Sequence, residues 1–270
     1  MDNDDFLKYF GLSRLPFGKD LSRAELFNYP QLAELEEIIR LCLGGRKMCL
    51  VSSRGGCGKT TALRAILGEL PPRNYKVIYL GQDYSSASLF ARLGSELGLK
   101  PELTRNYRSF HISKRLENEV LVGGKELILV VDECHMLERQ AMEELRMLTN
   151  SEMDRKSLVS MVMLGQIWLR DRLKYREYEA LSQRLSLRYA LEGLSEIETG
   201  GYVNHHLGLA GCTAELFTAD ALKQVFLSSG GILRVINNIC LAAMLKAKAL
   251  KKQHIDGALV KRVVKEQEID

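Results

Sequence analysis

Ser52-Ser53-Arg54-Gly55-Gly56-Cys57-Gly58-Lys59-Thr60-Thr61 decides how the rest of this chain is read. A short apolar run, Met48 to Val51, precedes it, and an apolar-periodic run (Ala62, Leu63, Ala65, Ile66) follows. That order predicts strand, loop and helix. In this setting the loop reads as a phosphate-binding P-loop, whose backbone N–H groups and helix N-terminus wrap an anionic phosphate chain. Ser53, Gly55, Gly56, Cys57, Gly58, Lys59, Thr60 and Thr61 are the candidate nucleotide-binding residues. Lys59 would reach the outer phosphates, and the Thr60 hydroxyl would ligate Mg²⁺. ATP and Mg²⁺ are the expected cofactors. One position departs from the G-x-x-x-x-G-K-[ST] pattern: Ser53 stands where the first Gly belongs, while Gly56 to Thr60 is intact.

A second signal lies downstream, in Leu127-Ile128-Leu129-Val130-Val131-Asp132-Glu133. Unbroken aliphatics indicate a strand buried on both faces, as in a parallel sheet covered by helices. Carboxylates at the carboxyl end of such a strand lie where open α/β sheets bind ligands. Asp132 is therefore the second candidate metal ligand, and Glu133 the candidate base that polarises the water attacking a γ-phosphate.

Between and beyond these motifs the chain alternates in type. Residues 6–30 are aromatic and irregular (Phe6, Tyr9, Phe10, Phe17, Phe27, Tyr29) and read as a wrap against the nucleotide domain. Helices are expected over 31–43, from Ser85 to about Gly98, from a Ser109 cap to about Val122, over 139–148 and over 168–179. Further strands are expected at 76–80, at 158–164 and, as a sheet edge, at 185–191. Five strands interleaved with helices argue for a doubly wound α/β domain over 1–194. From the capping box Ser195-Glu196-Ile197-Glu198 onward only helical periodicity remains, over 196–209, 219–229, 232–249 and 256–266. Residues 195–270 thus read as a small all-helical lid domain.

Bulk numbers narrow the function. The 270 residues are 46% hydrophobic and 27% charged, ordinary for a globular protein, and the net charge of +4 permits nucleic-acid binding without arguing for it. None of the six cysteines forms a C-x-x-C pair, so zinc is not expected; reduced thiols of a cytoplasmic protein are. The acidic N-terminus is not a signal peptide, and no run reaches about 18 apolar residues, so no membrane segment is expected.

Other polar residues are candidates by position. Gln166 ends a buried strand, expected beside that of Asp132, and would orient the water or sense the γ-phosphate; Asn150 is a weaker candidate for the same role. Arg184 precedes the last strand and Arg188 competes with it. Arg234 follows Gly230-Gly231 at a helix start, where it could present a guanidinium to the nucleotide. Lys100, Arg105, Arg108, Lys114 and Arg115, with Tyr107 among them, could contact DNA phosphates. His205-His206 share no helix face and do not suit a metal. His135 is read as packing or capping, and Trp168 as core or interface.

With these motifs placed, the chain resembles AAA+ ATPases of the ExeA/GspA type, a group close to the transposon target-selection ATPases (TniB, TnsC, IstB and MuB). The resemblance runs from Tyr9-Phe10-Gly11-Leu12 and Pro16-Phe17 through the P-loop and Asp132-Glu133-Cys134-His135. It continues over Leu145-Arg146, Leu148-Thr149-Asn150, Leu164-Gly165-Gln166, Gln183-Arg184 and Gly230 to Asn237. It implies a P-loop AAA+ domain with a five-stranded parallel sheet and a helical lid. It also implies Gln166 as sensor one, Arg184 as an arginine finger acting on a neighbouring subunit, Arg234 as sensor two, and ATP-dependent rings or helical filaments. Cys134 replaces a small residue and Leu233 a proline of the family pattern. The chain stops after the lid, as do the short ATPases encoded beside transposases. For those the family implies assembly on double-stranded DNA, target selection and recruitment of a transposase. The alternative is secretion or cell-envelope assembly.

Overall fold

The computed structural model describes residues 3–81, 85–99, 105–122, 124–149 and 157–267. Five strands form one parallel sheet: β1 (Met48–Ser53), β2 (Tyr75–Leu80), β3 (Glu126–Val131), β4 (Val159–Gln166) and β5 (Leu185–Leu191), in the order β2-β3-β4-β1-β5. The aliphatic runs occupy the centre, because only residues apolar on both faces tolerate helices above and below. All of β1 is buried, as is β4 up to Gly165. β5 carries its Leu185, Leu187, Tyr189, Leu191 alternation at a sheet edge, as expected. Ser53 of β1 pairs in register with Gln166 of β4, so the carboxyl ends of these strands lie side by side, with β3 next along.

The helices are α1 (Asn3–Phe10), α2 (Pro30–Gly44), α3 (Lys59–Gly68), α4 (Ser86–Glu96), α5 (Arg105–Leu121) and α6 (Arg139–Leu148). They continue as α7 (Leu169–Arg172), α8 (Glu179–Arg184), α9 (Glu196–Leu209), α10 (Ala219–Ser229), α11 (Leu233–Ala249) and α12 (Gly257–Gln267). Ser85 caps α4 by accepting from the Ser88 N–H at 3.2 Å. Three elements differ from expectation, the first being α1, which is helical through Phe10 within a stretch expected to be irregular. α5 begins at Arg105, a turn before Ser109. The helix expected over 168–179 is broken, because Tyr175 is extended (ψ 143°) and a 3₁₀ turn, Arg176–Tyr178, leads into α8. Arg172 holds that break, donating to the Tyr178 hydroxyl at 2.7 Å while its guanidinium lies 5.0 Å from the ring centroid.

The chain forms two compact units. One comprises residues 31–53 and 66–191, the other residues 1–30, 54–65 and 192–270. The first is the sheet with its helices, around a core that includes Leu50, Leu129, Met161, Leu93 and Leu145. In the second, α9 to α12 enclose Val203, Phe217, Ile239 and Val260. Phe6, Leu12 and Phe17 belong to this same helical core. The aromatic N-terminal segment, expected to wrap the nucleotide domain, packs with the C-terminal helices and also reaches α3, where Arg64 donates to the Lys19 carbonyl. Ser13 N–H donates to the Ala210 carbonyl at 2.8 Å and Arg14 Nε to that of Leu209 at 3.0 Å. The His205 ring Nε2 meets the Glu25 carbonyl at 2.8 Å.

Candidate functional site

The P-loop follows β1 without a break. Ser53 is fully buried as the last residue of that strand, so no left-handed backbone is needed where the motif usually has its first glycine. The positions that need glycine are Gly56 and Gly58, at φ 91° and 89°. Turns of this kind gather backbone N–H groups into an anion-binding concavity. Lys59 opens α3 and is buried, while Thr60 beside it is exposed. The loop therefore fits a phosphate chain.

In the same unit the start of α11 lies on this loop. Arg234 N–H donates to the Gly56 carbonyl at 3.1 Å. A Cβ on Gly56 would lie 2.8 Å from Arg234 Cβ, and one on Gly58 2.7 Å from Leu233 Cδ1. Arg234, expected to approach nucleotide from the lid, is thus in contact with the loop. Leu233, which replaces the family's proline, packs over the second glycine. The glycine turn ahead of α11 is clasped by the chain leaving β5, with Leu194 N–H donating to the Gly231 carbonyl at 2.9 Å. An aromatic wall completes this side. Phe27 stacks with Tyr29 and meets Tyr202 edge-on, both at 6.1 Å between centroids. Tyr202 donates to Asn237 Oδ1 at 2.9 Å. Burial, with Cys57 and Glu198 nearby, pushes the Tyr29 phenol up to about 12, so it stays neutral.

In the sheet unit, Asp132 is buried just past β3. Its Oδ2 accepts from the Tyr79 hydroxyl and its Oδ1 from the Glu133 N–H, both at 2.8 Å. Glu133 sits in the left-handed region at φ 51°, which turns its half-exposed side chain out of the strand direction. Non-glycine residues adopt this conformation at a cost of about 1–2 kcal/mol, and they do so most at functional sites. The buried Cys134 thiol donates to the Val131 carbonyl at 2.9 Å, and burial beside Asp132 pushes it up, far from ionisation. All six cysteines are free thiols.

The buried His135 joins two of the candidates. Its Nε2 lies 3.2 Å from Glu133 Oε2, and its Nδ1 lies 3.4 Å from the Gln166 N–H. Trp168 packs edge-on against the imidazole at 5.1 Å and donates its indole N–H to Gln166 Oε1 at 3.2 Å. Arg172 fixes this turn from beneath through the carbonyls of His135 and Leu137, each at 3.0 Å. The sequence suggests packing or helix capping for His135, and the ring is indeed buried against Trp168.

Arg184 ends α8 and donates to the Thr149 carbonyl at 3.3 Å, while exposed Arg188 donates to the Ser182 carbonyl at 2.6 Å. Lys114 is exposed on α5, and Arg115 beside it bonds the Leu97 carbonyl and Glu119. Lys100 and Asn150 lie outside the described residues, as do the side chains of Arg105, Tyr107 and Arg108. Among the described residues no His, Cys, Asp and Glu group forms a separate metal site, and no helix is long and apolar enough to cross a membrane.

Residues 42–173 match a protein family described as an AAA domain. The chain is 32% identical over 248 residues to general secretion pathway protein A of Aeromonas hydrophila, covering 90% of this chain and 45% of that protein. It therefore spans about half the length of that curated relative. Among solved structures it is similar to Cdc6p of Pyrobaculum aerophilum, with a TM-score of 0.71 at 13% identity over 96% of this chain and 70% of that one. It is also similar to the Aeropyrum pernix ORC1 protein in complex with DNA, with a TM-score of 0.64 at 17% identity over 93% and 67%. The class is plain: this is a P-loop AAA+ fold, a five-stranded parallel sheet with flanking helices and a helical C-terminal region. Within that fold the similarity in sequence is to general secretion pathway protein A.

Proposed function

We propose that this chain binds ATP with Mg²⁺ and hydrolyses it to ADP and phosphate. The observation that carries this is the loop Gly56 to Thr60, turned through two left-handed glycines at the head of α3, in a chain whose β3 is followed at once by Asp132 and Glu133. Backbone groups from Ser53 to Thr61, with Lys59, hold the phosphates. Thr60 and Asp132 would hold Mg²⁺, which supplies charge neutralisation when bound. Glu133 accepts a proton from the attacking water, Gln166 reads the γ-phosphate, and Arg234 couples the start of α11 to what the loop holds. Arg184 serves a second copy of the chain, in a ring or filament. We expect Lys59→Ala to weaken binding of a fluorescent ATP analogue. Glu133→Gln should keep that binding and lose about 10²–10⁴-fold in turnover. Equal turnover in Glu133→Gln and the parent would remove Glu133 from the mechanism.

For the task this ATPase powers, two readings have support. The similarity to general secretion pathway protein A supports a role in secretion or cell-envelope assembly. The exposed Lys114 and Arg115 on α5, with Lys100, Arg105 and Arg108 close in sequence, support assembly on double-stranded DNA and recruitment of a transposase. Turnover measured with and without duplex DNA separates them. Stimulation that fades with salt favours DNA; no stimulation, with recovery in a membrane-associated complex, favours the envelope.

A further inference from the structure

The contacts around His135 fix hydrogen-bond polarity, and that polarity has a use. An indole N–H can only donate. The atom of Gln166 that Trp168 holds at 3.2 Å is therefore the amide oxygen, which leaves the Gln166 NH₂ as the outward end. A backbone N–H can also only donate, so His135 Nδ1 accepts from Gln166 and carries no proton. The proton of the neutral imidazole is then on Nε2, 3.2 Å from Glu133 Oε2, where it donates. One Glu133 oxygen is engaged and the other is left to accept. Burial and Trp168 hold the imidazole in place, while Arg172 holds the backbone that carries it.

We propose that His135, with Trp168 behind it, is the positioning residue of this site: it orients Glu133 as a proton acceptor and fixes Gln166 as a donor suited to an anionic phosphate oxygen. Neither ring touches substrate in this arrangement. Their effect is on the placement of the two groups that would, so the proposal rests on the ATPase reading. It accounts for a left-handed Glu133 two residues before a buried histidine, since that turn brings the carboxylate back onto the ring.

The test compares His135→Gln with His135→Asn. A glutamine amide nitrogen reaches where Nε2 stood and can donate to Glu133; asparagine is too short to do so. His135→Asn should lose about 10–100-fold in kcat, with ATP affinity unchanged, because misplacement alone costs that much. His135→Gln should stay within about threefold of the parent, retaining the donor that sets the base. Equal kcat in the two variants, or affinity falling in step with kcat, would overturn the proposal. A parent protein that turns over no ATP overturns the ATPase reading instead. Nitrogen-15 NMR of the histidine-labelled parent decides the geometry without turnover and without relying on either variant folding. The Nε2–H tautomer is expected at His135, and an Nδ1–H tautomer would refute it.

Discussion

Gly56 is constrained twice. Its φ of 91° strains any side chain, and a Cβ there would strike Arg234 Cβ at 2.8 Å. Gly56→Ala should therefore displace the start of α11 as well as strain the loop, at a cost of about 1–3 kcal/mol. Calorimetry should show a lowered Tm and titration a weaker hold on ATP; unchanged affinity would mean that the contact with Arg234 is idle. Ser53 sits three positions earlier, in strand conformation, and tolerates being something other than glycine. The P-loop pattern was legible because glycine and lysine have few substitutes in a backbone cradle. The posture of Glu133 was not, since no local pattern marks a left-handed glutamate.

At the scale of elements, α9 links packing to pH. His206 lies buried on it, stacked on Phe17, and burial pushes its pKa down to about 4. An unfolded histidine titrates near 6.5, so between about 6.5 and 4 the unfolded chain binds the extra proton. Stability therefore falls as pH drops through that window, by about 2–3 kcal/mol in total. Glu25, held near 2 by Arg14 and the Ser22 groups, works in the same sense at lower pH: its contribution is present above about 4.5 and lost towards 2. Urea unfolding at pH 7.5, 6 and 5 should show a declining midpoint, and His206→Asn should flatten it; a flat profile in the parent would show that His206 titrates normally. The capping box of α9 offers a smaller check. Ser195→Ala removes the bond to the Glu198 N–H and should cost about 1 kcal/mol by denaturant titration. Most helices were legible at this scale because period and caps are local. The fate of Phe6 and Phe17 was not: an aromatic residue announces burial but not the surface that buries it. The helix expected over 168–179 failed for a related reason, since Arg172 reaching Tyr178 stabilises a turn that periodicity cannot reveal.

For the whole molecule, the proposed Arg184 role makes turnover a property of more than one copy. Arg184→Ala and Glu133→Gln should each be nearly inactive, the first by about 10³-fold. Mixed, they should regain activity, because some sites would pair an intact Glu133 with an intact Arg184; a mixture no better than its parts would place Arg184 outside catalysis. The division into units carries a consequence of another kind. Residues 54–65 belong with the first 30 residues and with 192–270, whereas the sheet unit ends at Leu191. A chain emerging from the ribosome can complete its sheet before the partners of its phosphate loop exist. At about 5–20 residues per second, roughly 180 residues separate Gly56 from Arg234, a delay of roughly 10–35 s. Nascent chains stalled short of Ile232 should fail to retain an ATP analogue, and chains extended past α12 should hold it. Birth order thus separates scaffold from ligand: on the ATP-binding proposal, the loop would meet its nucleotide only after α11 has been made.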